Sequence, residues 1–374
     1  MKILITGGHL TPALSYIDWV KKNQPKDKLV FAGRDFSQDK LQQKAVEKYE
    51  VEKRNVSFIS FSAVRFGKSF FSHILTEAPL FLKSIIKAKK ILKNQKTMVV
   101  VSFGGYVAVP FVLAAFLLKI PVVTHEQTMV AGFANTIIGF FAKKIAVSFE
   151  DTASEFPEDK VVVTGNLLRS GVFSSRHQKP AWFKNNSDKP ILLIMGGNQG
   201  SQAINEIILE SLPELVQNWT VVHQCGKPTK ERNYKLVLET AKSHLSTKYQ
   251  DSYFVTEWID GRDLFWLYRN SIAAVSRSGA NATQELAVAG LPTIFVPLPM
   301  AHKNEQHKNA QWLVNIGGAI LIDQAGLDSE SLSIALDKIK TFQKPMKEAL
   351  SKLSFSKDAA KKFYEITKEV TLKS

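Results

Sequence analysis

Ser276-Arg277-Ser278-Gly279-Ala280-Asn281-Ala282-Thr283-Gln284-Glu285, followed by Gly290-Leu291-Pro292 and then Pro297-Leu298-Pro299, reads as strand, glycine turn, helix, then another strand and loop. Parallel strands need a crossover of this kind, usually a helix, so the stretch points to an α/β architecture. Working outward, short β-branched runs alternate with longer amphipathic stretches along the whole chain. Strands are expected at Lys2 to Ile5, Lys28 to Ala32, Val56 to Phe61, Met98 to Phe103, Pro121 to Thr124, Lys144 to Phe149 and Lys160 to Thr164. A second series is expected at Ile191 to Met195, Thr220 to Gln224, Tyr253 to Thr256, Ile272 to Ser276, Thr293 to Pro297 and Ala319 to Ile322.

Between the two series, Arg169 to Lys189 is rich in Ser, Asn, Lys and Pro and breaks the rhythm. The expected organisation is an N-terminal domain over residues 1–168, a linker over 169–189 and a C-terminal domain over 190–374, with the last helix packing back on the N-terminal domain. A chain of 374 residues is long enough for two cores. The fold class is α/β, two Rossmann-like domains whose strand C-terminal ends face a central cleft, where ligands of open α/β sheets bind.

The composition is that of a folded protein, with 45% hydrophobic residues, which excludes a disordered chain. No basic segment precedes an apolar run and cleavage site, and no apolar run reaches about 18 residues, so neither a signal peptide nor a membrane span is expected. The lone Cys225 excludes an internal disulfide framework and fits a reducing compartment. A net charge of +15 calls for an acidic partner: nucleic acid, anionic lipid or a phosphorylated substrate. No RNA- or DNA-reading motif accompanies the charge, so no nucleic-acid partner is expected.

Three glycine turns follow strands: Thr6-Gly7-Gly8-His9 before Pro12, Gly104-Gly105-Tyr106, and Gly196-Gly197-Asn198-Gln199-Gly200-Ser201. Such turns let backbone approach a ligand, and the N-terminus of the following helix favours an anion. Neither G-x-G-x-x-G nor the Lys-Ser/Thr ending of a P-loop is present, which argues against a dinucleotide site and a Walker-type triphosphatase. A diphosphate held by backbone N–H groups remains. Glu285, in the first turns of its helix, can accept from vicinal ribose hydroxyls or can simply complement the helix dipole. Gln306 and Asn309, three apart, can share a helix face toward sugar hydroxyls or be solvated polar residues.

Taken in order, Thr6-Gly7-Gly8-His9 with Pro12-Ala13-Leu14, Gly104-Gly105-Tyr106, His125-Glu126-Gln127, Gly165-Asn166 with Arg169, Gly196-Gly197 with Gln199-Gly200, and Ser276 to Glu285 resemble the MurG family. These are the bacterial peptidoglycan glycosyltransferases that add N-acetylglucosamine to undecaprenyl-diphosphate-MurNAc-pentapeptide. The match spans nearly the whole chain.

The resemblance implies a GT-B fold and an inverting transfer from UDP-GlcNAc, bound in the C-terminal domain, to lipid I held at the N-terminal domain, giving lipid II. It implies that Ile259 meets uracil through its backbone and Glu285 the ribose. Arg169 and the turn holding Asn198, Gln199 and Gly200 would then stabilise the diphosphate, with Ser278, Gly279, Gln306 and Asn309 completing the donor site. On the acceptor side it implies Thr6, Gly7, Gly8, Gly104, Gly105, Tyr106, His125, Gln127 and Thr128. Direct attack by an acceptor hydroxyl needs a base; His9 is the first candidate and Glu126 the second. No Asp-x-Asp sequence is present, and neither a metal nor another cofactor is expected.

Departures fall mainly on the acceptor side. Where the family reads Gly-Gly-Thr-Gly-Gly-His, Leu4 and Ile5 replace the first two glycines; Thr128 replaces asparagine after His125-Glu126-Gln127; Leu167 replaces proline. Asn198 replaces serine on the donor side. From Phe66 to Lys96, Phe70, Phe71, Ile74, Leu75, Leu80, Phe81, Leu82, Ile85 and Ile86 interleave with Lys83, Lys87, Lys89, Lys90 and Lys93. This pattern suits either an anionic membrane surface or a packed helix with a solvated lysine face. Together with the lipid acceptor that the resemblance implies, the expected location is peripheral, on the cytoplasmic face of the cell membrane. The competing functions are a related UDP-sugar transferase with another lipid acceptor, a UDP-GlcNAc epimerase of the same architecture, and an inactive membrane-recruiting partner that keeps the nucleotide-sugar site.

Overall fold

The computed structural model describes residues 1–34, 36–38, 43–44, 46–63, 74–185, 187–197, 200–229 and 232–373; side chains at 36–38, 43–44, 46, 74–76 and 302 lie outside the description. Phe70, Phe71, Asn198 and Gln199, singled out above, lie outside the described residues, as do the side chains of Ile74 and Leu75. The chain divides into two compact units, residues 1–169 with 356–374, and residues 170–355.

The first unit contains β1 (Lys2–Gly7), β2 (Lys28–Gly33), β3 (Phe36–Gln38), β4 (Gln43–Lys44), β5 (Ser57–Ser60), β6 (Val99–Phe103), β7 (Val122–Glu126), β8 (Lys144–Val147) and β9 (Val161–Val163). β3 and β4 form a short antiparallel pair, and the others one parallel sheet in the order β5-β2-β1-β6-β7-β8-β9. Alternate residues of β1 bury on opposite faces. Ile3 and Ile5 join Tyr16, Phe103 and Phe363, while Leu4 joins Val100, Phe111 and Ala115. Burial on both faces explains why the strand reads as a continuous apolar run. It also explains the first departure from the family pattern: Leu4 and Ile5 are strand residues committed to the two cores, so the turn opens only at Gly7. The helix Ala359–Leu372 belongs to this unit; Phe363 meets Tyr16 edge-on, and the Tyr364 hydroxyl donates to Asp27 Oδ2 at 2.8 Å.

The second unit contains β10 (Ile191–Met195), β11 (Thr220–Gln224), β12 (Tyr253–Thr256), β13 (Ser271–Ser276), β14 (Thr293–Phe295) and β15 (Ala319–Leu321), all parallel in the order β12-β11-β10-β13-β14-β15. The segment 170–189 packs onto this unit: Phe183 is buried against Phe254 and Trp266, and Trp182 Nε1 donates to Asp263 at 2.7 Å. The segment read as an inter-domain linker from its polar, proline-containing composition is thus anchored by its aromatic side chains.

In both sheets the strand order reverses beside the first strand, between β1 and β6 in one and between β10 and β13 in the other. Crevices at such switch points are where open α/β sheets take ligands. The four loops that leave these strands are the Gly7, Gly104, Gly196 and Ser278-Gly279 turns.

Candidate active site

In the first unit the two glycine turns touch. A Cβ on Gly8 would lie 2.5 Å from the Gly105 α-carbon and 2.8 Å from the Gly104 carbonyl, and one on Gly105 would lie 2.6 Å from the Gly8 α-carbon. Gly104 and Gly105 also take left-handed φ of +72° and +76°, a region side chains disfavour. The apposition brings Gly7, Gly8, Gly104 and Gly105 together at the switch point. Thr6 is buried beneath them, and Tyr106 is half-exposed.

His9 occupies the N-cap position of the helix Leu10–Asn23 with extended backbone and no capping bond from its side chain. Burial holds its imidazole below the ordinary histidine value; Glu126 opposes that shift and Arg34 reinforces it. The ring is therefore neutral at neutral pH, the form that can take a proton, and the Glu126 charge favours the imidazolium that results.

Glu126 itself is fully engaged. Oε1 accepts from the Thr128 N–H (3.1 Å) and lies 2.8 Å from the Thr128 hydroxyl, while Oε2 accepts from the Gly132 N–H and from Asn135 Nδ2, both at 2.9 Å. Its carboxylate staples the loop from Gln127 to Gly132, with Gln127 and Thr128 buried. His125 is buried against Phe103 and Phe363, points Nε2 at the Gly165 carbonyl (3.2 Å), and is pushed by burial to about 4. It is a neutral strut.

Asn135 was not singled out from the sequence, yet it is the hub of this region. Besides Glu126 it donates to the His125 carbonyl (3.3 Å), and its Oδ1 accepts from Thr124 Oγ1 (3.1 Å). It is 2% exposed, and a Cβ on Gly104 would meet its Nδ2 at 2.9 Å. The signal was available as the single amide in the largely apolar helix Phe133–Phe141.

In the second unit, Gly197 (φ +81°) and Gly200 (φ +80°) bracket the turn after β10, closed by the Gly200 N–H donating to the Gly197 carbonyl at 3.2 Å. Gly200 is pressed on its neighbour, since a Cβ there would lie 2.3 Å from the Cys225 carbonyl, whereas Gly197 and Gly279 face open space. Ser201 caps the helix Gln202–Asn218, and Gly279 is the N-cap residue of the helix Ala280–Ala289. Two helix N-termini with open glycines beside them can hold an anion.

Under the turn runs a buried network: Asn205 Nδ2 donates to the Cys225 carbonyl (2.9 Å), and His223 sits between Asn205 Oδ1 (3.0 Å) and the Tyr253 hydroxyl (2.9 Å). Burial pushes His223 down to about 3. Gln224 then reaches from the end of β11 to Gly197 and to the backbone N–H of Ile259. His223 and Gln224, two polar residues closing the β-branched run Thr220-Val221-Val222, were the sequence signal for this pair.

Ser278 and Asn309 meet, Asn309 Nδ2 donating to the Ser278 carbonyl at 3.0 Å, while Ser278 Oγ and Asn309 Oδ1 are buried without a hydrogen-bond partner. Such orphaned atoms mark unfilled hydrogen-bonding capacity. Glu285 is 1% exposed and lies 3.4 Å from the Tyr268 hydroxyl. Gln306 Oε1 accepts from the Leu298 N–H (3.1 Å) and secures the loop Pro297-Leu298-Pro299. Arg169 is half-buried at the end of the first unit. Among the described residues no group of His, Cys, Asp or Glu could hold a metal ion.

These features define a sugar-nucleotide-dependent glycosyltransferase class: the glycosyltransferase family 28 N-terminal domain matches residues 6–147 and the family 28 C-terminal domain residues 191–366. A curated relative from Pediococcus pentosaceus, named UDP-N-acetylglucosamine--N-acetylmuramyl-(pentapeptide) pyrophosphoryl-undecaprenol N-acetylglucosamine transferase, is 32% identical over 98% of this chain and 97% of its own. The chain belongs to this MurG family of glycosyltransferase family 28. In fold it is similar to the crystal structure of Acinetobacter baumannii MurG (TM-score 0.69, 24% identity, 98% and 99% of the two chains covered). It is also similar to UDP-GlcNAc 2-epimerase from Neisseria meningitidis (TM-score 0.63, 14% identity, 100% of both chains), so the fold alone does not choose the chemistry.

Proposed function

We propose that this protein transfers N-acetylglucosamine from UDP-GlcNAc to the undecaprenyl-diphosphate-linked MurNAc-pentapeptide, lipid I, forming lipid II for peptidoglycan. The observation that carries the reading is the full-length likeness to transferases of that name, joined to a histidine held neutral at the paired glycine turns. An acceptor hydroxyl attacks the anomeric carbon and forms the new C–O bond. The bond from that carbon to the diphosphate oxygen breaks with inversion, UDP leaves with the electron pair, and His9 takes the hydroxyl proton. Glu126 anchors the loop beneath and stabilises the imidazolium, a role its four neighbouring donors favour over that of the base. Backbone N–H groups at Gly197 and Gly200, beside the N-terminus of the helix Gln202–Asn218, would meet the charge on departing UDP.

The acceptor is a membrane lipid, and the surface of the first unit suits a peripheral approach. No helix among the described residues is long and apolar enough to cross a membrane. The helix Ile74–Asn94 buries Ser84, Ala88 and Leu92 on one stripe, yet leaves Leu80, Leu82 and Ile86 exposed beside Lys83, Lys87 and Lys90. The helix Ala108–Leu117 packed against it exposes Phe116 and Leu117, and the next helix along, Phe133–Phe141, exposes Phe133 and Phe140. Apolar groups among lysines suit an anionic leaflet. Incubating the purified protein with labelled UDP-GlcNAc and a short-chain lipid I analogue tests the reading; labelled product on the acceptor supports it, and UDP-GlcNAc turnover to an epimer with no transfer overturns it.

A further inference from the structure

Gln224 ends β11, whose two neighbours in the sheet are β10 and β12, paired with Met195 on one side and Thr256 on the other. Its side chain, 4% exposed, spans the loops that follow those strands. Nε2 donates to the Gly197 carbonyl at 3.3 Å, and Oε1 accepts from the Ile259 N–H at 3.0 Å. The orientation of the amide is fixed by its partners, because a carbonyl can only accept and a backbone N–H can only donate. The Gly197 carbonyl also takes the Gly200 N–H that closes the turn, so the same oxygen joins the turn to Gln224. One carboxamide thus ties the glycine turn to the Trp258-Ile259-Asp260 segment.

We propose that Gln224 is a positioning residue of the nucleotide site, coupling the segment that meets the base to the turn that meets the diphosphate. The inference rests on the donor-site reading above. A base that takes the Ile259 N–H displaces Oε1, and the rigid amide then moves Nε2 off Gly197. A base that leaves that bond in place meets a backbone already set by Gln224. In the first case the turn and the base segment adjust together; in the second Gln224 holds both in place before the nucleotide arrives.

The test measures UDP and uridine binding by calorimetry, and steady-state kinetics with UDP-GlcNAc, for the full-length wild type, Gln224→Met and Gln224→Glu. Methionine matches the length without donor or acceptor. The loss of two net hydrogen bonds should weaken UDP about tenfold and raise KM by a similar factor, with kcat within about twofold. Glutamate keeps an acceptor for Ile259 but sets an oxygen against the Gly197 carbonyl, so it should weaken UDP more than uridine. The proposal is overturned if either variant, with wild-type circular dichroism and thermal midpoint, binds UDP within twofold of wild type, or if kcat falls while KM does not move. Wild-type protein that binds no UDP would instead remove the donor-site reading itself, and this inference with it.

Discussion

The α-carbons of Gly8 and Gly105 leave no room for a side chain between them: a Cβ on either would come within 2.6 Å of the other. The turns after β1 and β6 are therefore closed on each other, backbone to backbone, next to His9. Gly8→Ala should cost about 1–3 kcal/mol by overpacking, read as a lower urea midpoint, and should reduce transfer more than tenfold while UDP affinity stays at the wild-type value. Wild-type stability together with wild-type turnover in Gly8→Ala would show that the contact is dispensable.

His9 must be neutral to accept a proton, and desolvation at its half-buried position holds its pKa below the usual histidine value. The rate should therefore rise with pH on a limb centred below about 6.5 and be flat by pH 7. His9→Gln should lower kcat by roughly 10²–10⁴ and abolish that limb, with UDP binding unchanged. An acid limb that survives in His9→Gln assigns the base elsewhere.

His125 and His223 titrate near 4 and 3 in the folded protein because burial disfavours their charged forms. Between about pH 6.5 and 4 the unfolded chain binds protons on both and the folded chain does not, so stability falls as pH falls, by about 1.4 kcal/mol per pH unit for each ring fully titrated in the unfolded state. Urea unfolding from pH 7 to 4.5 measures the slope. If His125→Gln leaves that slope unchanged, the ring is not held neutral by the fold.

Exposed Leu82 and Ile86 flanked by lysines should place the helix Ile74–Asn94 on anionic vesicles. Neutralising Lys83, Lys87, Lys89 and Lys90 should weaken binding by roughly 1 kcal/mol per residue, with transfer to a water-soluble acceptor analogue unchanged. Vesicle sedimentation reads this directly, and equal binding by the quadruple variant would sink the membrane contact.

Much of this was legible in the sequence for a physical reason. Strands buried on both faces write themselves as apolar runs, and the thirteen strands of the two parallel sheets fall within two residues of where those runs lie. Glycine turns after strands were equally plain. What could not be read were partners distant in sequence: Asn135 under Glu126, and Gln224 between Gly197 and Ile259. Their side chains act across strand pairings that only the folded sheet creates. Gln306 and Asn309 show the same limit, their partners being unreadable from spacing. Their spacing is helical, but the helix turns one toward Leu298 and buries the other at Ser278.

The most direct test of the central claim is transfer of labelled N-acetylglucosamine from UDP-GlcNAc to a short-chain lipid I analogue, comparing wild type with His9→Ala and Glu285→Ala. The expected result is a lipid-linked disaccharide and stoichiometric UDP from wild type, kcat reduced about 10²-fold or more in His9→Ala, and mainly weaker UDP-GlcNAc binding in Glu285→Ala. Bound UDP-GlcNAc with no transfer to any lipid-linked muramyl acceptor would contradict it.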